Sequence, residues 1–157
     1  EIGMQQLMSH YNNAGNEAVD AYTKELVEKY PNSKVANYCR GFAFYAKSDF
    51  SNAITFFQKS VEIDPDYADG VYNCGYCYYQ NALEKAREIS GKKMKSQAAI
   101  KAAEDEVKSL FAKAAPYFER YRELDDKEPS RWAAPLKVIY NNTGEKEKAT
   151  EMDAYLN

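Results

Sequence analysis

The chain has 157 residues, 45% of them hydrophobic and 29% charged, and a formal net charge of −3. This length is enough for one domain with a continuous core, and the mildly acidic balance argues against a nucleic-acid-binding protein. No apolar run is long enough to cross a membrane as a helix, so we expect no direct membrane insertion. Ala, Tyr, Phe and charged residues alternate at helical spacing and leave no candidate strand, which predicts an all-α fold.

The first segment, residues 1–33, predicts a turn followed by one helix that Pro31 ends. The chain begins at Glu1 within apparent helix sequence and shows no signal peptide. We therefore expect a fragment of a longer chain, or a mature protein trimmed upstream.

Residues 34–67 carry a complete helical hairpin. Gly41 on the first helix and Ala53 on the second are small, which lets the two helices approach closely, and Pro65 stops the second helix. Three aromatic residues are expected to fill the space around the small ones: Phe44, Phe50 and Phe57.

The same pattern begins again at Ala68, a period of about 34 residues, but its second helix resumes only near Phe111. The intervening residues 82–113 are rich in Ala, Glu and Lys, which favour helix. This insertion predicts that both helices of the hairpin are lengthened by roughly three turns each, with the turn at Ser90–Gly91.

The inserted segment is also basic. Between Ala82 and Lys113 there are eight Lys or Arg and five Asp or Glu, a balance of +3 that leaves −6 for the rest of the chain. Such a hairpin could orient an acidic partner, or it could be a solvated helical pair that keeps the protein soluble. Its tip is expected to project and to be the first site cut by trypsin, because it carries three clustered lysines: Lys92, Lys93 and Lys95.

After Pro129 the sequence predicts a final helical pair with a turn at Gly144. Apolar residues recur at helical spacing on both sides of that turn. They are Trp132, Leu136 and Ile139 on the first helix, and Ala149, Met152 and Leu156 on the second.

The hairpin with Gly41, Ala53 and Pro65 resembles the tetratricopeptide repeat (TPR), although Asn37 stands where that family usually has Trp. The resemblance implies a superhelix, or solenoid, of about three to four hairpins with one much elongated. The expected organisation is a single TPR domain over 1–157, built from a partial repeat (1–33), a full repeat (34–67), a repeat with an extended hairpin at 82–113 (68–129) and a terminal pair (130–157). The long insertion followed by Trp132 is similar to a bacterial group of TPR proteins that are often exported. That similarity favours the bacterial cell envelope or periplasm, with the cytoplasm as the alternative.

The TPR resemblance implies that the first helix of each hairpin lines a concave inner surface. Aromatic residues recur there at i, i+4 and i+7, on one helix face. They are Tyr38, Phe42 and Tyr45 in one hairpin and Tyr72, Tyr76 and Tyr79 in the next, extended by His10 and Tyr11. The implied function is a non-enzymatic scaffold that binds a protein or peptide partner in this groove. Two alternatives stay open: the rings fill space between adjacent helices, or the chain is a structural segment of a longer solenoid or a self-associating oligomer.

Cys74 and Cys77 form a CxxC motif, but they fall in the middle of a predicted helix, whereas redox pairs open one. We interpret them as core residues, with a thiol redox protein as the remote alternative. A zinc site would have to combine them with Cys39 and His10, which lack the usual close ligand pairing. His10 is the only histidine, so a nucleophilic triad has little material, and we expect no enzyme, metal or cofactor.

Overall fold

The computed structural model describes residues 17–91 and 96–156. Across these residues every regular element is helical, which confirms the predicted all-α fold. The helices are α1 (17–29), α2 (Lys34–Tyr45), α3 (Phe50–Ile63), α4 (Ala68–Gly91), α5 (Gln97–Leu124), α6 (Pro129–Thr143), α7 (Lys146–Glu151) and a short 3₁₀ helix (Met152–Tyr155). Helices that follow one another in the chain pack as pairs, α2 with α3, α5 with α6 and α6 with α7. None of the described helices is apolar over a length that would span a bilayer.

Polar caps set where several helices begin. The side chains of Ser33 and Asp49 accept hydrogen bonds from backbone N–H groups in the first turns of α2 and α3, at 3.3 and 3.2 Å. Ser96 does the same for α5 at 3.2 Å. Each cap satisfies an N–H that has no partner within its helix. At the other end of α3, the helix stops at Ile63, two residues before the predicted breaker Pro65.

The chain divides into two compact units, Glu1–Cys74 and Gly75–Asn157. In the first unit, Val19 of α1 packs with Cys39 and Ala43 of α2. Helix α3 lies against α2 at Gly41, where a Cβ atom would be only 2.7 Å from the ring of Phe57. Gly41 is therefore required for the close approach, as the sequence predicted.

The second unit contains most of the elongated hairpin. Helices α4 and α5 have 24 and 28 residues, whereas α2 and α3 have 12 and 14, so the predicted elongation is confirmed. The two long helices approach closely at Gly75, where a Cβ atom would be 2.8 Å from the Cβ of Tyr117. The prediction of a turn at Ser90–Gly91 is wrong, because α4 continues through both residues. The connection at 92–95, with the three lysines expected at a projecting tip, lies outside the described residues.

The last helical pair turns at Gly144, whose φ of +92° is the left-handed conformation that glycine adopts without strain. Ala149 and Met152 are buried, as predicted, but Leu156 is 39% exposed. The α-helix ends at Glu151 and continues as a 3₁₀ helix. Because a 3₁₀ helix has three residues per turn, Leu156 rotates away from the face that Ala149 and Met152 occupy.

Candidate functional site

The aromatic residues of α2 differ in how much of each ring reaches the surface. Tyr38 is only 4% exposed, and its ring lies 5.3 Å from those of Phe57 and Tyr67. Its hydroxyl accepts a hydrogen bond of 2.9 Å from Asn73 Nδ2 of α4. Tyr38 therefore belongs to the interior of the first unit, as in the alternative that these rings fill space between helices.

Phe42 and Tyr45, further along α2, are half-buried. Their ring centroids are 5.7 Å apart, and Tyr45 also packs on Phe50 at 5.9 Å. Phe42 contacts the core cluster of Val19, Cys39 and Ala43. Tyr72 of α4, in the same unit, is half-buried as well. Each of these rings is held on one side and keeps surface that a ligand could cover.

In the second unit, Tyr76 and Tyr79 of α4 are half-buried, with ring centroids 6.4 Å apart. Tyr79 packs edge-on against two rings of α5, Phe111 at 5.9 Å and Phe118 at 6.2 Å, and burial raises the pKa of its hydroxyl. Tyr79 therefore joins α4 to α5. His10 and Tyr11, the other two predicted groove residues, lie outside the described residues.

The three cysteines are fully buried thiols. Cys74 and Cys77 lie within α4, as the sequence predicted, and not at a helix N-terminus where a thiolate would be stabilised. Burial also raises the pKa of the Cys39 thiol to about 11. Among the described residues, no three His, Cys, Asp or Glu side chains lie close enough together to hold a metal ion.

The basic character of the inserted hairpin is concentrated in its connection. Across 82–91 and 96–113 the Lys and Arg residues number five and equal the Asp and Glu residues. One of these charges, Lys85 of α4, pairs with Glu106 of α5 at 2.9 Å. The excess positive charge therefore comes from Lys92, Lys93 and Lys95, which lie outside the described residues.

The second unit also contains a cleft that the sequence did not predict. It has a volume of about 1000 Å³ and lies among the C-terminal turns of α5, helix α6, α7 and the 3₁₀ helix. In its wall the guanidinium of Arg122 lies 4.8 Å from the ring centroid of Trp132 and 4.9 Å from that of Tyr155. Arg122 Nη2 also donates a 2.7 Å hydrogen bond to the Tyr155 hydroxyl. These three residues are widely separated in sequence, so no local spacing could have revealed the cleft.

A second polar arrangement lines the same cleft. The hydroxyl of Tyr140 donates a 2.7 Å hydrogen bond to Glu119, and burial together with this carboxylate raises the hydroxyl's pKa. Lys148 lies over the Tyr140 ring at 5.1 Å and pairs with Glu145 at 2.7 Å. Hydrogen bonds from Lys148 and Thr143 in turn lower the pKa of Glu145. All three aromatic side chains of the cleft, Trp132, Tyr140 and Tyr155, are thus already in contact with a cation of this chain.

Consecutive antiparallel helix pairs with small residues at their contacts define a helical-repeat protein. A family model described as TPR repeat matches residues 41–81, which run from α2 through α3 into α4. No curated protein matches the chain. The match falls on the hairpin whose residues resembled the tetratricopeptide repeat, so residues 41–81 carry a TPR repeat within an all-helical chain. TPR repeats are generally non-catalytic modules that mediate interactions between proteins.

Proposed function

We propose that this protein is a non-enzymatic module that binds a peptide or helix of a partner protein through half-buried aromatic rings on the first helices of its hairpins. The TPR match supports the general role, and the partial exposure of Phe42, Tyr45, Tyr72 and Tyr76 carries the finer proposal. Tyr38 and Tyr79 have a supporting role, since their rings pack against neighbouring helices.

Aromatic rings suit this role because they bury a large area while few torsions become fixed. A tyrosine held on one side by its own core loses little further freedom when a ligand covers the other side. Affinity would then come from a few ring contacts and would depend only weakly on charge.

The test begins with random peptides displayed on phage and selected on the folded protein, with the thermally unfolded protein as the counter-selection. A selected peptide is then titrated by calorimetry against the wild type and three variants: Tyr76→Ala, Lys93→Ala and Thr55→Ala. We expect Tyr76→Ala to lose about 2 kcal/mol or more, because enclosed aromatic residues carry most of an interface's free energy. Thr55 is exposed on α3 and serves as the matched control, with no expected change.

Two results would contradict the proposal. One is a selection that enriches no peptide on the folded protein over the unfolded one. The other is a large loss of affinity on Lys93→Ala with none on Tyr76→Ala, which would move the functional surface to the basic connection of the hairpin.

Raising the salt concentration should change the affinity little, because screening acts mainly on exposed charges. Light scattering separates the rival role in self-assembly, which predicts a mass above that of one chain.

A further inference from the structure

We propose that the cleft of the second unit is a separate binding site for a basic segment of a partner polypeptide, with an arginine or lysine side chain as the anchor. The cleft lies among α5, α6, α7 and the 3₁₀ helix. It shares none of its lining with Phe42, Tyr45, Tyr72 or Tyr76, the residues of the proposed aromatic surface. Its volume of about 1000 Å³ is at the upper end of the range for ligand pockets, enough for several residues of an extended chain.

The charges of the lining favour a cationic occupant. Four carboxylates line the cleft, from Glu119, Glu123, Asp126 and Glu151, against two cations, Arg122 and Lys148. Both cations are already engaged, Arg122 by the Tyr155 hydroxyl and two aromatic rings, and Lys148 by Glu145 and the Tyr140 ring.

The carboxylates are engaged to different degrees. Glu119 accepts the hydrogen bond of Tyr140, and Glu123 pairs with Arg120 at 2.7 Å. The side chains of Asp126 and Glu151 are exposed and form no hydrogen bond or close ion pair with any of the described residues, and the charge of Glu151 acts on Lys148 only at longer range. The charge left for a ligand is therefore negative, and a guanidinium or ammonium group is its complement.

A second observation, independent of the carboxylates, points to a polypeptide occupant. Trp132 lines the cleft and is 1% exposed, yet its indole N–H has no hydrogen-bond acceptor among the described residues. A buried donor without an acceptor is costly, and a backbone carbonyl of a bound peptide is an acceptor of suitable chemistry. The indole nitrogen has almost no exposed surface, so this contact requires the side chains of Arg122 and Tyr155, which pack on the Trp132 ring, to move when the peptide binds. A free inorganic cation would not supply one, so the occupant that satisfies both features is a basic peptide.

Trp132 also provides the measurement, because it is the only tryptophan in the chain. Its fluorescence is titrated with a blocked peptide that alternates Gly and Arg, with the same peptide carrying uncharged citrulline, and with a Gly-Glu peptide. We expect a saturable change with the Arg peptide, and affinity at least about tenfold weaker for the citrulline peptide. Tyr72→Ala should leave this binding unchanged, so that failure here and failure of the proposed aromatic surface are distinguishable.

Two double variants with the same change in net charge separate the cleft from the overall field of the protein. Asp126→Asn with Glu151→Gln removes the two carboxylates that form no hydrogen bond or close ion pair and should weaken binding by about fivefold or more. Glu25→Gln with Glu28→Gln alters exposed carboxylates of α1 and should change it less than about twofold at physiological salt. The variants are compared only after circular dichroism shows that each is folded.

Three outcomes would overturn the inference. The first is no saturable change with the Arg peptide up to about 1 mM. The second is equal weakening by both double variants, which would mean non-specific attraction. The third is preferential binding of the Gly-Glu peptide, which would assign the cleft to an acidic partner held by Arg122.

Discussion

Arg40 shows how a charged side chain is accommodated between packed helices. Its residue is 9% exposed, and its Nη1 donates to the backbone carbonyl and the carboxylate of Asp20, each at 3.0 Å, and to the Thr23 hydroxyl at 3.1 Å. The guanidinium also lies 4.4 Å from the ring centroid of Phe44. Arg40 of α2 therefore forms several hydrogen bonds with α1, in an environment from which water is largely excluded.

We expect Arg40→Ala to destabilise the protein by about 2 kcal/mol or more, because it removes a buried hydrogen bond to Thr23 and two part-buried ones to Asp20. Lys47→Ala is the matched control. Lys47 contacts the same Asp20 carboxylate at 2.9 Å but is 39% exposed, and its loss should cost less than about 1 kcal/mol. Urea unfolding of both variants decides, and equal losses would mean that Arg40 acts only as another surface charge.

The contribution of Asp20 to stability depends on pH, because its carboxylate becomes protonated in acid. A hydrogen bond from Lys47, together with Arg40, lowers the pKa of Asp20. Its contribution to stability is therefore present above the unfolded pKa of aspartate and is lost as the pH falls through the folded value. We expect the difference in stability between wild type and Lys47→Ala to shrink in acid, and a difference that grew instead would contradict this assignment.

The reactivity of the three cysteine thiols in the native protein tests the redox alternative. All three are 0% exposed, so a chromogenic thiol reagent should react slowly with the native protein and rapidly with all three after denaturation. The raised pKa of Cys39, about 11, further lowers its thiolate fraction near neutral pH. Rapid reaction of Cys74 and Cys77 in the native protein would revive the redox interpretation of the CxxC motif.

At the scale of elements, the packing of α2 on α3 depends on small residues. Ala53 is 0% exposed, and we expect Ala53→Leu to destabilise by about 1–3 kcal/mol, because overpacking forces the two helices apart. Thr55→Leu adds a similar side chain on an exposed position of the same helix and should change stability by less than about 0.5 kcal/mol. Thermal unfolding of the two variants tests whether the stability of the hairpin depends on the close contact between α2 and α3.

The elongated hairpin depends on a different kind of contact. Tyr79 joins α4 to Phe111 and Phe118 of α5, so Tyr79→Ala should lower the free energy of unfolding by about 2–3 kcal/mol. Tyr30 is 50% exposed, and Tyr30→Ala should have little effect. Urea unfolding of both variants decides. If Tyr79→Ala left stability unchanged, its ring would be available as binding surface, and the structural role assigned to it would be wrong.

At the scale of the whole molecule, the repeat was readable from the sequence because each hairpin reuses the same local signals. The helices and turns are specified locally, by the small residues Gly41 and Ala53 and by the helix breaker Pro65. The elongation is visible because the repeat pattern resumes only at Phe111. The buried state of Tyr38 could not be read in this way, since it depends on the side chains of Phe57 and Tyr67 around it. The cleft was equally hidden, because it joins side chains from four helical elements that share no spacing.

The boundary between the two compact units, between Cys74 and Gly75, falls within helix α4. Helix α4 runs without interruption from Ala68 to Gly91, so it supplies buried Val71 to the first unit and Gly75 and Tyr79 to the second. In repeat proteins, neighbouring segments unfold together when the element that joins them contributes to both cores. We therefore expect the units to unfold in one transition.

Trp132 fluorescence reports on the second unit alone, whereas circular dichroism reports on all the helices. The two midpoints should coincide in the wild type. The decisive variant is Phe57→Ala, which removes a fully buried ring of the first unit and should cost about 3–5 kcal/mol. If unfolding is cooperative across α4, this variant lowers the midpoint seen by Trp132 as much as that seen by circular dichroism, while Thr55→Ala moves neither. A Trp132 transition that stays in place while the helical signal is lost in two steps would show that α4 can break near Cys74 and that each unit is stable alone.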